Sequence, residues 1–129
     1  MVTVFEGARG TAVIAAADIE RARSFYEDVL GLAPEEVLPD AESVIYRLGG
    51  VPLMVYRSGF AGTAQNTVFA VETDDLDRDM ATLREKGVVF KDYDFPGLTT
   101  VNGVADLPGE RTSWFEDSEG NILALNQRL

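Results

Sequence analysis

A chain of 129 residues with a 46% hydrophobic fraction has the size and composition of one domain with a buried core. Its 22 acidic against 11 basic side chains give a formal charge of -11, which opposes binding to a nucleic-acid backbone or an anionic membrane and favours neutral or cationic partners. Cysteine and histidine are both absent, so disulfides, thiolate metal sites, cysteine nucleophiles and Ser-His-Asp sets are excluded.

The first ten residues, MVTVFEGARG, carry no basic stretch followed by an apolar run, and no segment approaches the roughly 20 apolar residues that span a bilayer. A cytoplasmic protein is expected, with Met1 to Gly10 as a peripheral strand or arm. From Thr11 to Ala17 small and β-branched residues suit a buried strand. Asp18 then stands where an N-cap carboxylate accepts from free amides of a first helical turn. Ile19, Ala22, Phe25 or Tyr26, and Val29 recur at helical spacing against a charged opposite face, and Gly31 stops the helix.

Three strands are expected next, over Glu35 to Leu38, Ser43 to Leu48 and Val51 to Arg57, the last two joined by Gly49-Gly50, a pair suited to positive φ. Ser58 to Gln65 is a Gly- and Ala-rich connector. The pattern then repeats: a strand over Asn66 to Thr73, a helix capped by Asp74 or Asp75 with Leu76, Met80 and Leu83 inward, and a stop at Gly87. Asp18-Ile19-Glu20-Arg21 aligns with Asp75-Leu76-Asp77-Arg78, so the chain is a duplicated strand-helix unit. Val88 to Phe90 is expected to start a second meander, Lys91 to Glu110 to be a long excursion holding one strand, and Arg111 to Glu116 with Ile122 to Asn126 to form a hairpin. Each half reads β-α-β-β-β. The fold class is α+β: tandem βαβββ modules, about 10-58 and 66-129 of a single domain, forming a curled mixed sheet around a cleft, with the helices on the outer side.

These features, DIERARSFYEDVLGL after the first strand, DDLDRDMATLREKG after its repeat and the hairpin WFEDSEGNIL, together resemble the glyoxalase, bleomycin-resistance and extradiol-dioxygenase superfamily, the vicinal oxygen chelate proteins. In metal-dependent members the resemblance implies His, Gln or Glu ligands at four inward-facing strand positions. Here those positions hold Thr11, Met54, Val68 and Ala124. A hydroxyl and a thioether are weak donors for a catalytic divalent cation, and valine and alanine supply none. The neighbours Gly10, Ala12, Leu53, Val55, Thr67, Phe69, Leu123 and Leu125 offer no ligand set either, so the conclusion survives a slip of one residue. Dioxygenase and metal-dependent glyoxalase chemistry are therefore not expected, and no cofactor is.

Because strand side chains alternate, residues sharing parity with the four positions should face the cleft: Thr11, Val13 and Ala15; Pro52, Met54 and Tyr56; Asn66, Val68 and Ala70; Ile122, Ala124 and Asn126. The resemblance adds Trp114, the only tryptophan, and Thr112 as site-facing positions. Trp114 could equally serve only to pack the hairpin. Phe60 in the connector could cap the opening, and Asp92, Asp94, Glu110 and Arg111 could reach its mouth, although solvated carboxylates are the commoner outcome in so acidic a chain. The expected ligand-binding set is Met54, Tyr56, Phe60, Thr112, Trp114 and Asn126. The expected function is metal-free binding of a small apolar or aromatic molecule, cationic ones included, by a homodimer, in sequestration of an antibiotic or toxic metabolite. The competing readings are a metal-independent isomerase or lyase using a cleft tyrosine or carboxylate, and a non-catalytic interaction subunit.

Overall fold

In the computed structural model, which describes residues 4–129, the chain runs twice through the same path. In the first module β1 (Ala12–Ala16) leads into α1 (Ile19–Ser24), which continues as a π-helical turn over Phe25–Val29, and is followed by β2 (Glu36–Leu38), β3 (Ser43–Leu48) and β4 (Val51–Arg57). The second has β5 (Thr67–Glu72) and α2 (Leu76–Glu85), then a small hairpin of β6 (Asp94–Phe95) and β7 (Leu98–Thr99), then β8 (Val104–Leu107), β9 (Glu110–Glu116) and β10 (Ile122–Arg128). Each module makes a four-stranded mixed sheet, in the orders β1-β4-β3-β2 and β5-β10-β9-β8. The equivalent strands occupy equivalent places: β1 lies parallel to β4, β5 lies parallel to β10, and the remaining pairs are antiparallel. Parallel neighbours need a crossover, which the helix of each module supplies.

The helices form where the capping signals stand. Asp18 Oδ1 accepts from the Arg21 amide and Asp75 Oδ1 from the Arg78 amide, so the second cap is Asp75. Widening of α1 into a π turn, with the Leu30 amide donating to the Phe25 carbonyl, settles the choice between Phe25 and Tyr26: both turn inward. Tyr26 is fully buried, and Phe25 packs partly against Phe115. The core lies on the helix side of the sheets, where Ile14, Ala16, Val44, Tyr46, Leu53, Val55, Phe115, Leu123 and Leu125 meet Ala22, Tyr26, Leu76 and Met80. The alternate residues of the same strands are left on the face away from the helices, the one expected to line the cleft, which is called the outer face below because the core does not cover it.

The second meander differs from expectation. Phe90 makes only an isolated bridge to Phe115, and β8 takes the edge of the sheet instead. The excursion therefore holds three short strands rather than one. Residues 1–3 of the expected N-terminal strand or arm lie outside the described residues, and residues 4–7 form a turn.

The turn Asp117-Ser118-Glu119-Gly120-Asn121 clamps the second module onto the first. Asp117 Oδ1 accepts from the Glu119 and Asn121 amides, and Oδ2 accepts from the Tyr26 hydroxyl at 2.5 Å. Asn121 donates to the Ala15 carbonyl at 2.8 Å and accepts from the Gly62 amide at 3.1 Å. Glu119, whose side chain has no exposed surface, accepts from the Asp18 amide at the start of α1 and from Arg21 through two nitrogens at 2.7 and 3.0 Å. Such charge-assisted contacts hold Glu119 well below the usual carboxylate range, at about 2, with the Arg21 hydrogen bond the largest cause.

Candidate functional site on the outer sheet faces

Strand alternation leaves Val13, Ala15, Met54 and Tyr56 on the outer face of the first sheet, where Val13 pairs with Met54 and Ala15 with Tyr56. This surface is apolar and open: Val13 is 53% exposed and Tyr56 39%. On the second sheet Ala70, Ala124 and Trp114 lie in one row across β5, β10 and β9, and Asn126 and Thr112 pair beside them. The sequence-derived residues thus fall into two groups, Met54 with Tyr56 and Thr112 with Trp114 and Asn126. Among the described residues no strand pair or hydrogen bond joins the groups within one chain. Phe60 stands apart from both at 81% exposure in its connector turn.

Trp114 does more than pack its hairpin. Its indole N–H donates to Thr67 Oγ1 at 3.1 Å, and its ring meets Tyr93 edge-on, with centroids 5.6 Å apart. Tyr93 in turn meets Phe95 edge-on at 5.9 Å. The long excursion therefore comes back across the sheet and sets two further aromatic rings beside the tryptophan, with Phe95 half exposed. The Lys91 amide, donating to the Trp114 carbonyl at 2.8 Å, pins this return.

Thr67, Tyr93 and Phe95 escape a parity argument made from sequence. A bulge between Ile122 and Leu123 skips Val68, so that Thr67 stands opposite Ile122. The aromatic alternation in Lys91-Asp92-Tyr93-Asp94-Phe95 was the available signal for the other two, but nothing local says which sheet it returns to.

The charged candidates have other partners. Asp92 Oδ1 accepts from the Thr100 hydroxyl and the Gly103 amide, closing the base of the excursion. Arg111 reaches towards α2 and pairs with Asp77 through two nitrogens. Glu110 accepts from Thr112, and Asp94 is exposed on β6. Tyr46 is buried on the helix side and donates to Glu27 at 2.9 Å. Burial first, then the neighbouring carboxylates Asp117 and Glu27, pushes the phenols of Tyr26 and Tyr46 up, so neither is suited to act as a phenolate base.

The four positions that hold a metal in related proteins carry Thr11, Met54, Val68 and Ala124, with Val13, Ala15, Ala70 and Trp114 around them. Among the described residues no three His, Cys, Asp or Glu side chains converge anywhere. This donor set does not fit a catalytic divalent cation.

Two βαβββ modules with open outer sheet faces define a class of small α+β proteins. The chain belongs to the Glyoxalase/Bleomycin resistance protein/Dioxygenase superfamily, whose family model matches residues 9–125. No curated protein sequence matches it. Among solved structures it is similar to TnmS3, an antibiotic binding protein from Streptomyces sp. CB03234, with 22% identity over 96% of this chain and 99% of that one and a TM-score of 0.69. A putative glyoxalase family protein from Bacillus anthracis gives 16% identity, coverage of 94% and 96%, and a TM-score of 0.71. The fosfomycin resistance protein FosX from Listeria monocytogenes gives 13% identity, coverage of 100% and 96%, and a TM-score of 0.69. At these identities the likeness is one of fold. Among the described residues no helix is long and apolar enough to cross a membrane.

Proposed function

We propose that this protein binds a small, largely apolar or aromatic molecule on its outer sheet faces without a catalytic metal, and that its use is sequestration of an antibiotic or toxic metabolite. The observation that carries the reading is the aromatic corner of Trp114, Tyr93 and Phe95, built onto a sheet face where the family's ligand positions hold Val68 and Ala124. Edge-on aromatic rings beside small side chains leave a flat guest a ring face to stack on, and Thr67 and Asn126 supply polar groups to orient it, while Thr112 is buried beside them with its hydroxyl donated to Glu110. The chain's charge of -11 favours neutral or cationic guests. TnmS3 is an antibiotic binding protein, which supports antibiotics as the first class to test.

The two groups of candidate residues lie on separate sheets, so one chain offers two half-sites. A homodimer setting the Met54 and Tyr56 face of one protomer against the Trp114 face of its partner would complete each site, and a cytoplasmic location suits such a binder.

A thermal-shift screen against antibiotics and aromatic metabolites tests the proposal, because a molecule bound only by the folded state raises its stability. A hit should change the intrinsic fluorescence of Trp114, and Trp114→Ala should weaken it by about 1–3 kcal/mol, the scale of losing one large apolar contact. A tight hit that leaves the fluorescence unchanged and binds Trp114→Ala as well as the parent removes the site from this face.

A further inference from the structure

The strands that carry the outer face also bound a cavity on their other side. An apolar cavity of about 280 Å³ lies between the C-terminal turn of α1 and the flank of α2, where the modules meet. Leu48 and Leu53 come from the first module, and Phe69, Leu83, Phe115 and Leu123 from the second. Leu53 and Leu123 are each only 1% exposed, so the cavity reaches the core.

We propose that this cavity is a second binding site, separate from the outer-face site, for a neutral bicyclic aromatic molecule of the size of indole. Size is the first argument. A 150 Å³ cavity lined by aliphatic and aromatic side chains stays dry and accepts benzene, so this one has room for two fused rings. The second argument is chemical. The polar groups along its lining each have a partner, Asp79 in Thr73 and Arg78, Thr82 in the Arg78 carbonyl, Tyr26 in Asp117 and Lys86 in the Asp28 carbonyl, and Lys86, the one with donors to spare, is exposed to solvent. Among the described residues no buried side-chain polar atom lacks a partner. A charged or strongly hydrogen-bonding group placed among the leucines would give up its hydration for no new contact, whereas an apolar one gains contact with leucines and two phenylalanine rings.

The test is binding of 5-fluoroindole to the full chain, followed by fluorine NMR of the ligand and methyl shifts of Leu53 and Leu123. The Leu53 and Leu123 methyl signals should move and saturate, with one equivalent bound at this site. Thr82→Trp, which covers the mouth from the exposed side of α2, should weaken binding at least tenfold, and so should Leu83→Trp, which fills the interior. Thr82→Trp keeps the test valid if Leu83→Trp fails to fold, because Thr82 is exposed. The Leu53 and Leu123 methyl shifts should saturate whether or not the Trp114 fluorescence changes, because the two sites lie on opposite faces of the sheets. The proposal is overturned if 5-fluoroindole does not saturate the Leu53 and Leu123 methyl shifts up to its solubility, or if Thr82→Trp leaves them saturating as in the parent.

Discussion

Replacing Glu119 by glutamine should destabilise the protein strongly at neutral pH and hardly at all in strong acid. The carboxylate accepts four hydrogen bonds, from the Asp18 amide, Arg21 Nε and Nη2, and the Ser118 hydroxyl, and its side chain is wholly covered. Glutamine keeps the shape but puts an NH2 where one oxygen met donors. The lowering of the Glu119 pKa from 4.5 to about 2 corresponds to about 3.5 kcal/mol at about 1.4 kcal/mol for each tenfold change. Arg21 is half exposed, and solvent screening reduces that figure to about 1.5–2.5 kcal/mol. Because the folded-state pKa is depressed, this stabilisation is complete above about pH 4.5 and is lost as pH falls towards 2, where Glu119 becomes a neutral isostere of glutamine. Urea unfolding of parent and Glu119→Gln followed by circular dichroism should therefore give a gap of about 2 kcal/mol from pH 6 to 8, closing between pH 4.5 and 2. With no histidine in the chain, few groups titrate between pH 6 and 8, so the plateau should be flat. A gap below about 0.5 kcal/mol at pH 7, or one that persists unchanged at pH 2.5, overturns the account of this clamp.

Three further outcomes can be measured on the purified protein. Elemental analysis after purification without chelators should find no stoichiometric zinc, iron, nickel or manganese, since Thr11, Met54, Val68 and Ala124 offer no adequate donor set; near-equimolar metal would count against the proposed function. Gly62→Ala should cost more than about 2 kcal/mol, because φ is +71° and an added Cβ would collide with the Glu119 carbonyl oxygen, whereas Gly49→Ala, with φ +57° and open space around it, should cost only about 1 kcal/mol in thermal unfolding. Tyr26→Phe should cost about 1.5–3 kcal/mol, the scale of a hydrogen bond to a charged group, because Asp117 stays buried with one donor fewer.

Local signals carried most of the fold. Asp18 and Asp75 start helices because a carboxylate can reach the amide three residues on, and Gly49-Gly50 turns the chain because both residues take positive φ. What stayed hidden depends on the partner segment rather than on the segment itself. The π turn in α1 accommodates Phe25 and Tyr26 against a sheet that arrives much later in the chain. Val88 to Phe90 has strand composition, yet it meets β9 only at the Phe90↔Phe115 bridge, beyond the stretch that β8 pairs with from Val104↔Ser113 to Leu107↔Glu110. In the candidate site, alternation was enough to place Met54, Tyr56, Thr112, Trp114 and Asn126 on outer faces. It could not show that they fall on two separate sheets, that a bulge brings Thr67 under the indole, or that Tyr93 and Phe95 return to meet it.

Alternation also gives each central strand two roles that one substitution can separate. On β4, Leu53 points into the core and is 1% exposed, while Met54 beside it faces outward across from Val13 and Ile45. Leu53→Ala should cost about 2–5 kcal/mol of stability, the range for emptying a buried leucine site; because Leu53 already borders a cavity, part of its contact is missing and the lower half of that range is expected. Its effect on an outer-face ligand should be small once folding is saved at low temperature. Met54→Ala should do the reverse, costing about 1–2 kcal/mol, less than Leu53→Ala because the side chain keeps some exposure, while weakening any ligand found by the screen at least threefold. The pair is measured by chemical unfolding and calorimetric titration on the same samples. If both variants lose stability alike and ligand affinity alike, the outer face is not a separate binding surface, and the assignment of Met54 to it is wrong.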